Sequence, residues 1–198
     1  MIIGVLALQG AFQKHIDMLN CMQISTKKVR YSADFSKIDA LIIPGGESTT
    51  LSNLIVNENL SKIILEFISK KPVFGTCAGL ILLSNKSQNN TKVLSLESLD
   101  IKVERNGWGR QVDSFETMIN LNIDSNESFN FNGVFIRAPK IISCNAPTKV
   151  LSSLNGFPIM VRKGMILATT FHPELTDDLR IHKYFIDMIK EYENLRKN

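Results

Sequence analysis

The sequence predicts an α/β fold built on a mostly parallel sheet, and three observations carry that expectation. Short apolar runs alternate, through the first half of the chain, with segments whose apolar residues recur at intervals of three and four. The run "IIGVLAL" is apolar throughout rather than at every second position, the pattern of a strand buried on both faces. Three of the runs end in glycine-bearing loops, "QGA" at Gln9 to Ala11, "PGGEST" at Pro44 to Thr49 and "GTCAG" at Gly75 to Gly79. Right-handed crossovers bring such loops to one edge of the sheet, where folds of this kind bind ligands.

The elements follow in order. "IIGVLAL" is the first strand, and "FQKHIDMLNCM" a helix with Phe12, Ile16, Leu19 and Met22 at helical spacing. "KKVRY" suggests a short second strand and "IDALIIPGG" a strong third. From Ser48 to about Ser69 the spacing predicts one or two helices, followed by a short strand "PVFG" and a helix starting in "AGLILLS". Beyond a polar stretch, "SNKSQNNTK", the chain reads as strands with turn signals: "IKVERN", "RQVDSFETMINLNI", "GVFIRAP" and "FPIMVRKGMILATTFHP". These are expected to add antiparallel strands to the parallel sheet. The last segment, "DDLRIHKYFIDMIKEYENLRKN", reads as a helix with Asp177 and Asp178 near its start.

Composition narrows the function classes. A chain of 198 residues with 44% hydrophobic and 21% charged residues fits one globular domain, residues 1–198, with one sizeable core. The net charge of +4 is spread over scattered Lys and Arg without interleaved aromatics, which argues against a nucleic-acid surface. Cys21, Cys77 and Cys144 are odd in number and far apart, so neither a disulfide framework nor a zinc site is expected, and a reducing cytoplasm fits best. The apolar start lacks a charged flank and is too short for a signal or a membrane span. The N-x-[ST] matches at Asn85 and Asn126 then have no secretory context.

Three places carry chemistry. Cys77 sits where a buried strand must turn sharply into a helix, with Gly75 and Gly79 permitting the turn, as in a G-x-S-x-G nucleophile elbow with cysteine in place of serine. The following helix start offers partial positive charge and free N–H groups, which suit an anionic sulfur or a developing oxyanion. A small buried cysteine filling a tight corner is the alternative. His172 closes the apolar run "LATTFHPEL", and Glu174 follows it across Pro173. In an extended chain the two side chains face the same way, so the carboxylate can set the imidazole's tautomer. A strand-end turn beside an unrelated glutamate is the bland reading. His15 and His182 fall in helical patterns and read as exposed or satisfied histidines, while Cys21 and Cys144 read as packing residues. "PGGESTT" lacks the Gly-Lys-Ser/Thr ending of a phosphate loop, but Gly45 and Gly46 permit an N–H to be presented to an oxyanion. A plain turn before a helix capped by Ser48 or Thr49 is equally compatible.

Taken together, a Cys elbow, a His-Pro-Glu segment and a Pro-Gly-Gly loop resemble the triad-type (class I) glutamine amidotransferases. Within them, "GVLALQGAFQKHI", "PGGESTT", "GTCAGLILL", "ERNGWGRQVDSFE", "GVFIRAP" and "FHPELTDDLRIHKYF" are similar to the family of glutaminase subunits of pyridoxal 5′-phosphate synthases. The resemblance spans essentially the whole chain and implies a three-layer, flavodoxin-like fold. It implies Cys77 as nucleophile, His172 as general acid and base, Glu174 as its orienting carboxylate, and backbone N–H groups of Gly46 and Ala78 at the oxyanion. Gly46, Glu47, Ser48, Arg105, Ile136 and Arg137 match glutamine-binding positions, and Gln9 and Gly10 match a partner-sensing loop. It further implies no cofactor and no metal, with L-glutamine as substrate and a barrel-shaped synthase subunit as partner in a large hetero-oligomer. Nucleic acid and membrane are not expected partners. "NGWG" and the Asn-rich loops depart from the family pattern, which leaves the contacts of Trp108 open. Two other readings share many of these residues: the glutaminase subunit of another amidotransferase, such as imidazole glycerol-phosphate synthase, and a non-glutaminase α/β protein with an elbow cysteine.

Overall fold

The computed structural model describes residues 1–85, 93–108, 114–124 and 127–195. Its strands are β1 (Ile2–Leu6), β2 (Ser25–Val29), β3 (Ala40–Ile43), β4 (Val73–Thr76), β5 (Ile101–Glu104), β6 (Ser114–Asp124), β7 (Glu127–Ile136), β8 (Lys140–Cys144), β9 (Lys149–Leu154), β10 (Phe157–Lys163) and β11 (Ile166–Thr169). Its α-helices are α1 (Phe12–Cys21), α2 (Ser48–Asn57), α3 (Ser61–Ile68), α4 (Ala78–Leu83) and α5 (Arg180–Leu195).

The main sheet runs in the order β2-β1-β3-β4-β11-β10-β9. From β2 to β11 the pairings are parallel, and β10 and β9 extend the sheet antiparallel. Alternation along each strand then divides the core. Leu6, Leu41, Ile43 and Val73 face α2, α3 and α4 on one side, packing against Leu51, Ile55, Ile64 and Leu80. Ile3, Val5, Ile42 and Phe74 face α1 and α5 on the other, against Ile16, Leu19, Ile181 and Phe185. Every one of these strand residues is fully buried, which is why the strands read as unbroken apolar runs. Helices on both faces of one sheet make three layers, as expected. A buried side chain such as Phe74 or Phe185 contributes on the order of 1.5–3 kcal/mol through burial.

The later strands depart from expectation in a physically instructive way. Only β9 and β10 join the sheet antiparallel. β5 pairs with β8 and β6 with β7 as separate two-stranded ribbons. β11 lies parallel to β4, which sets its chain end beside that of β4. β8 and β9 go beyond the strands that the pattern marks, because β8 is half-buried and shows no clean alternation. Ser48 to Ser69 forms two helices, separated at Asn59, a residue with φ +56°. Cys21 ends α1 in an exposed position, and Cys144 ends β8 with Sγ 3.6 Å from the Thr148 carbonyl. The Asn-rich loop at Ser87 to Thr91, Asn126, and the segment Arg110 to Asp113 of "RQVDSFE" lie outside the described residues. Among the described residues no helix is long and apolar enough to cross a membrane.

Candidate active site

The parallel strands β1, β3, β4 and β11 present their C-terminal loops at one edge of the sheet, and the predicted residues meet there. Cys77 follows β4 directly and takes φ +47°, ψ −99°, a backbone conformation that side-chain-bearing residues rarely adopt. Its N–H donates to the Thr169 carbonyl at the end of β11, and its carbonyl accepts from Ile81 in the first turn of α4. The strand-to-helix corner is therefore closed on both sides, and the side chain is aimed at the edge. Gly79 allows α4 to lie close to β3, since a Cβ there would stand 2.1 Å from the Ile43 carbonyl oxygen. The strained turn needs a small residue at that point of approach.

His172 lies three residues beyond β11, where its N–H donates to the Val134 carbonyl of β7. The expected extended geometry across Pro173 is not what holds the pair. Pro173–Leu175 forms one turn of 3-10 helix with proline at its start, where the missing N–H costs nothing. That turn folds Glu174 back, with Oε1 2.7 Å from His172 Nδ1. Both side chains are buried, Glu174 at 2% exposure. Burial opposes the imidazolium, but hydrogen bonds to Cys77 and Glu174 outweigh it and raise the His172 pKa to about 10. For Glu174 burial again opposes the charged form, and the histidines around it hold its pKa below the ordinary carboxylate range.

The glycine loop closes a third side. Gly45 donates its N–H to Thr76 Oγ1 at 2.9 Å and accepts at its carbonyl from Ala11 N–H at 2.9 Å. Any Cβ on Gly45 would lie 2.3 Å from His172 Cε1, so glycine is what lets the imidazole sit against the loop. Gln9 Oε1 accepts from Glu47 N–H at 3.1 Å, tying the β1 loop to this one. Glu47, rather than Ser48 or Thr49, caps α2: its carboxylate accepts from the N–H groups of Thr49 and Thr50. Partial burial would raise its pKa, but the bonds from Thr50 and Thr49 prevail and bring it down to about 2. Arg105 Nη2 reaches Glu47 Oε1 at 3.1 Å, so this arginine organises one of the site's own acids.

These residues surround a cavity of about 290 Å³ lined by Gln9, Gly46, Glu47, Ser48, Cys77, Arg105, Ile136, Arg137 and His172. Gly45 and Ala11, from the glycine-bearing loops, also line it, and Ile81, Asn106 and Leu175 complete the wall without having been singled out in sequence. The volume suits a ligand the size of an amino acid. Three of the predicted residues stand back from it. Glu174 lies behind His172, Ala78 is buried at the start of α4, and Gly10 packs against the Gly45 carbonyl at φ +91°. Arg137, just past the end of β7, has φ +41°, a second unusual backbone position on the cavity wall. Trp108 donates from its ring N–H to the Pro139 carbonyl and packs against Phe135 and Phe157, a structural role.

Sequence reasoning missed a buried group behind the site. His15 and His182 are both fully buried, with His15 Nδ1 2.9 Å from His182 Nε2, and His15 Nε2 stands 3.5 Å from Glu174 Oε2. The available signal was position: His15 is the fourth residue of α1, directly after the loop that leaves β1 at the ligand-binding edge. A sulfur aimed into a cavity, an imidazolium-forming base bonded to it, and a buried carboxylate behind that base are together equipped for nucleophilic cleavage of an acyl derivative. Among the described residues, no group of three or more His, Cys, Asp or Glu side chains is disposed to hold a metal ion.

The chain is similar to known proteins in both sequence and structure. It is 50% identical over 186 residues to "Pyridoxal 5'-phosphate synthase subunit PdxT" of Francisella philomiragia, covering 94% of this chain and 98% of that protein. The protein of the same name from Thermotoga neapolitana is 44% identical over 189 residues, covering 95% and 99%. A solved structure described as "Crystal structure of glutamine amidotransferase" superimposes with a TM-score of 0.88 at 38% identity, covering 96% of this chain and all of that one. The fold is thus the class I glutamine amidotransferase fold, with its mostly parallel sheet flanked by helices. A family match over residues 5–191 takes in all of the site's residues, and the chain belongs to the SNO glutamine amidotransferase family.

Proposed function

We propose that the chain is a single glutaminase domain that hydrolyses L-glutamine to L-glutamate and ammonia and delivers the ammonia to a synthase subunit making pyridoxal 5′-phosphate. The observation that carries the chemistry is the meeting of Cys77 and His172 at the wall of one amino-acid-sized cavity, with the Glu174 carboxylate bonded to His172 from behind. The names of the relatives matched over nearly their whole length support the partner.

In this reading Cys77 Sγ, as thiolate, attacks the side-chain amide carbon of glutamine. Charge develops on the amide oxygen, where backbone N–H groups of Gly46 and Ala78 stabilise it. The His172 imidazolium gives its proton to the leaving nitrogen, ammonia departs and a glutamyl thioester remains. His172, now neutral, takes a proton from water as that water attacks the thioester; the side-chain carboxylic acid formed is released and gives its proton to solvent as glutamate, with the thiolate and imidazolium restored. Glu174 holds the ring with Nδ1–H donated to its carboxylate, so Nε2 faces the reacting atoms. Gly46, Glu47, Ser48, Arg105, Ile136 and Arg137 bind glutamine, with the Glu47–Arg105 pair shaping the polar wall. Release into bulk water would lose ammonia to protonation, which gives the reason for a docked synthase in a hetero-oligomer.

Gln9 and Gly10 sense that partner. The Gly45 carbonyl is held by Ala11 N–H, and the N–H of Gly46 belongs to the same peptide plane and points the opposite way. Docking against the β1 loop would loosen that bond and let the peptide turn its N–H to the oxyanion. The test is ammonia release from L-glutamine with and without the pyridoxal 5′-phosphate synthase subunit. Stimulation by the partner is expected, and turnover unchanged at saturating partner would contradict the proposed docking.

A further inference from the structure

The imidazoles of His15 and His182 are buried ionisable groups that the proposed mechanism leaves idle, and their geometry admits one consistent hydrogen-bond arrangement. Phe74 packs edge-on against both rings, and neither is exposed to solvent. Burial disfavours the charged form of each, so both are neutral and each carries a single N–H. Among the described residues His182 Nδ1 has no hydrogen-bond partner. Were the N–H there, a buried donor would be stranded, an arrangement rarer in folded proteins than an acceptor left with a free lone pair. The N–H therefore sits on His182 Nε2 and donates to His15 Nδ1 across 2.9 Å. His15 must then carry its own N–H on Nε2, which faces Thr76 Oγ1 at 3.2 Å and Glu174 Oε2 at 3.5 Å. The opposite tautomers would turn a lone pair of His15 toward that carboxylate.

We infer that His15, with its tautomer set by His182, is a positioning residue that aims Glu174 from behind and, through Thr76, steadies the Gly45 end of the glycine loop. Glu174 Oε2 makes no hydrogen bond of ordinary geometry among the described residues, so the N–H of His15 is the polar group that faces this second oxygen while Oε1 holds His172. Thr76 Oγ1 accepts the Gly45 N–H at 2.9 Å, and Gly45 packs directly against the His172 ring. One imidazole thus touches both supports of the base: the carboxylate that orients it and the hydroxyl that anchors the loop beside it. The inference rests on the Cys77, His172 and Glu174 roles proposed above.

The test compares His15→Leu, His15→Gln and Cys77→Ala in the complex with the synthase subunit, using L-glutamine turnover. It adds the pH dependence of Cys77 alkylation by iodoacetamide, followed by peptide mass spectrometry. His15→Leu should lower kcat by about 10- to 100-fold, the scale produced by slight misplacement of a catalytic group, with a smaller change in KM. The acid limb of Cys77 alkylation should move to higher pH, because a poorly held Glu174 supports the imidazolium less. His15→Gln, which restores an N–H donor near the position of Nε2, should recover most of both effects. Equal kcat and an unmoved alkylation profile for Leu and Gln variants would overturn the inference. Should His15→Leu fail to fold, His182→Phe takes its place, and an unchanged kcat and alkylation profile there would overturn it equally. Full turnover by Cys77→Ala would instead remove the triad reading itself, which keeps the two failures apart.

Discussion

Glu174 Oε1 lies 2.7 Å from His172 Nδ1 because a single 3-10 turn, opened by Pro173, folds the carboxylate back under the ring. Neither group is left to solvent, so the carboxylate acts on the imidazole with little screening. Replacing Glu174 with Gln keeps the shape and removes the charge. The expected result is a kcat lower by about 100-fold or more, with KM for glutamine changed far less, in steady-state kinetics of the complex. A kcat within a few-fold of wild type would show that His172 does not depend on this partner.

The same pair predicts a pH dependence of stability. His172 has its pKa raised from 6.5 to about 10, so its contribution is fully present below 6.5 and is lost as pH rises through about 10. Glu174 is lowered from its ordinary 4.5, so its contribution is present above that value and is lost as pH falls below it. The stability difference between wild type and Glu174→Gln should be largest between about pH 4.5 and 6.5, narrowing as pH rises through about 10 and as it falls below 4.5. Urea denaturation across pH measures it, and a difference that grew above pH 10 would contradict the assignment.

Gly45→Ala tests the closeness of the loop to the base. The added methyl would begin 2.3 Å from His172 Cε1, so the ring or the loop must shift. Turnover should fall by about 100-fold through misplacement of the imidazole. Far-UV circular dichroism should show the fold retained, since the loop lies at the sheet edge rather than in the core.

How much of this arrangement was legible in the sequence depends on the range of the interaction. Cys77 and its glycines announced themselves because an elbow is a local pattern, and the buried parallel strands did so because both their faces are covered. His172 and Glu174 were found as a pair for the wrong local reason, an extended strand instead of a 3-10 turn. His15 and His182 read in sequence only as exposed or satisfied histidines, since it is the packing of α1 against α5 that brings these residues, 167 apart, together as a pair. The two ribbons β5–β8 and β6–β7 were likewise hidden, because strand pattern records which face is buried and not which strand is the neighbour.

Glu47 separates a structural from a binding role. Its carboxylate caps α2, so Glu47→Ala should cost about 1 kcal/mol in chemical denaturation. Arg105 is partly exposed in its ion pair with Glu47, so Arg105→Ala should change stability by less than about 1 kcal/mol while raising KM for glutamine. A loss of stability in Arg105→Ala matching that of Glu47→Ala would mean that the ion pair, and not the cap, supports this helix.

Cys77 gives its sulfur to a glutamyl thioester in the proposed reaction. Ammonia release from L-glutamine by Cys77→Ala, assembled with the pyridoxal 5′-phosphate synthase subunit and compared with wild type in the same complex, tests it most directly. Release by the variant should be no faster than from the synthase subunit alone. Turnover by the variant comparable to wild type would contradict it.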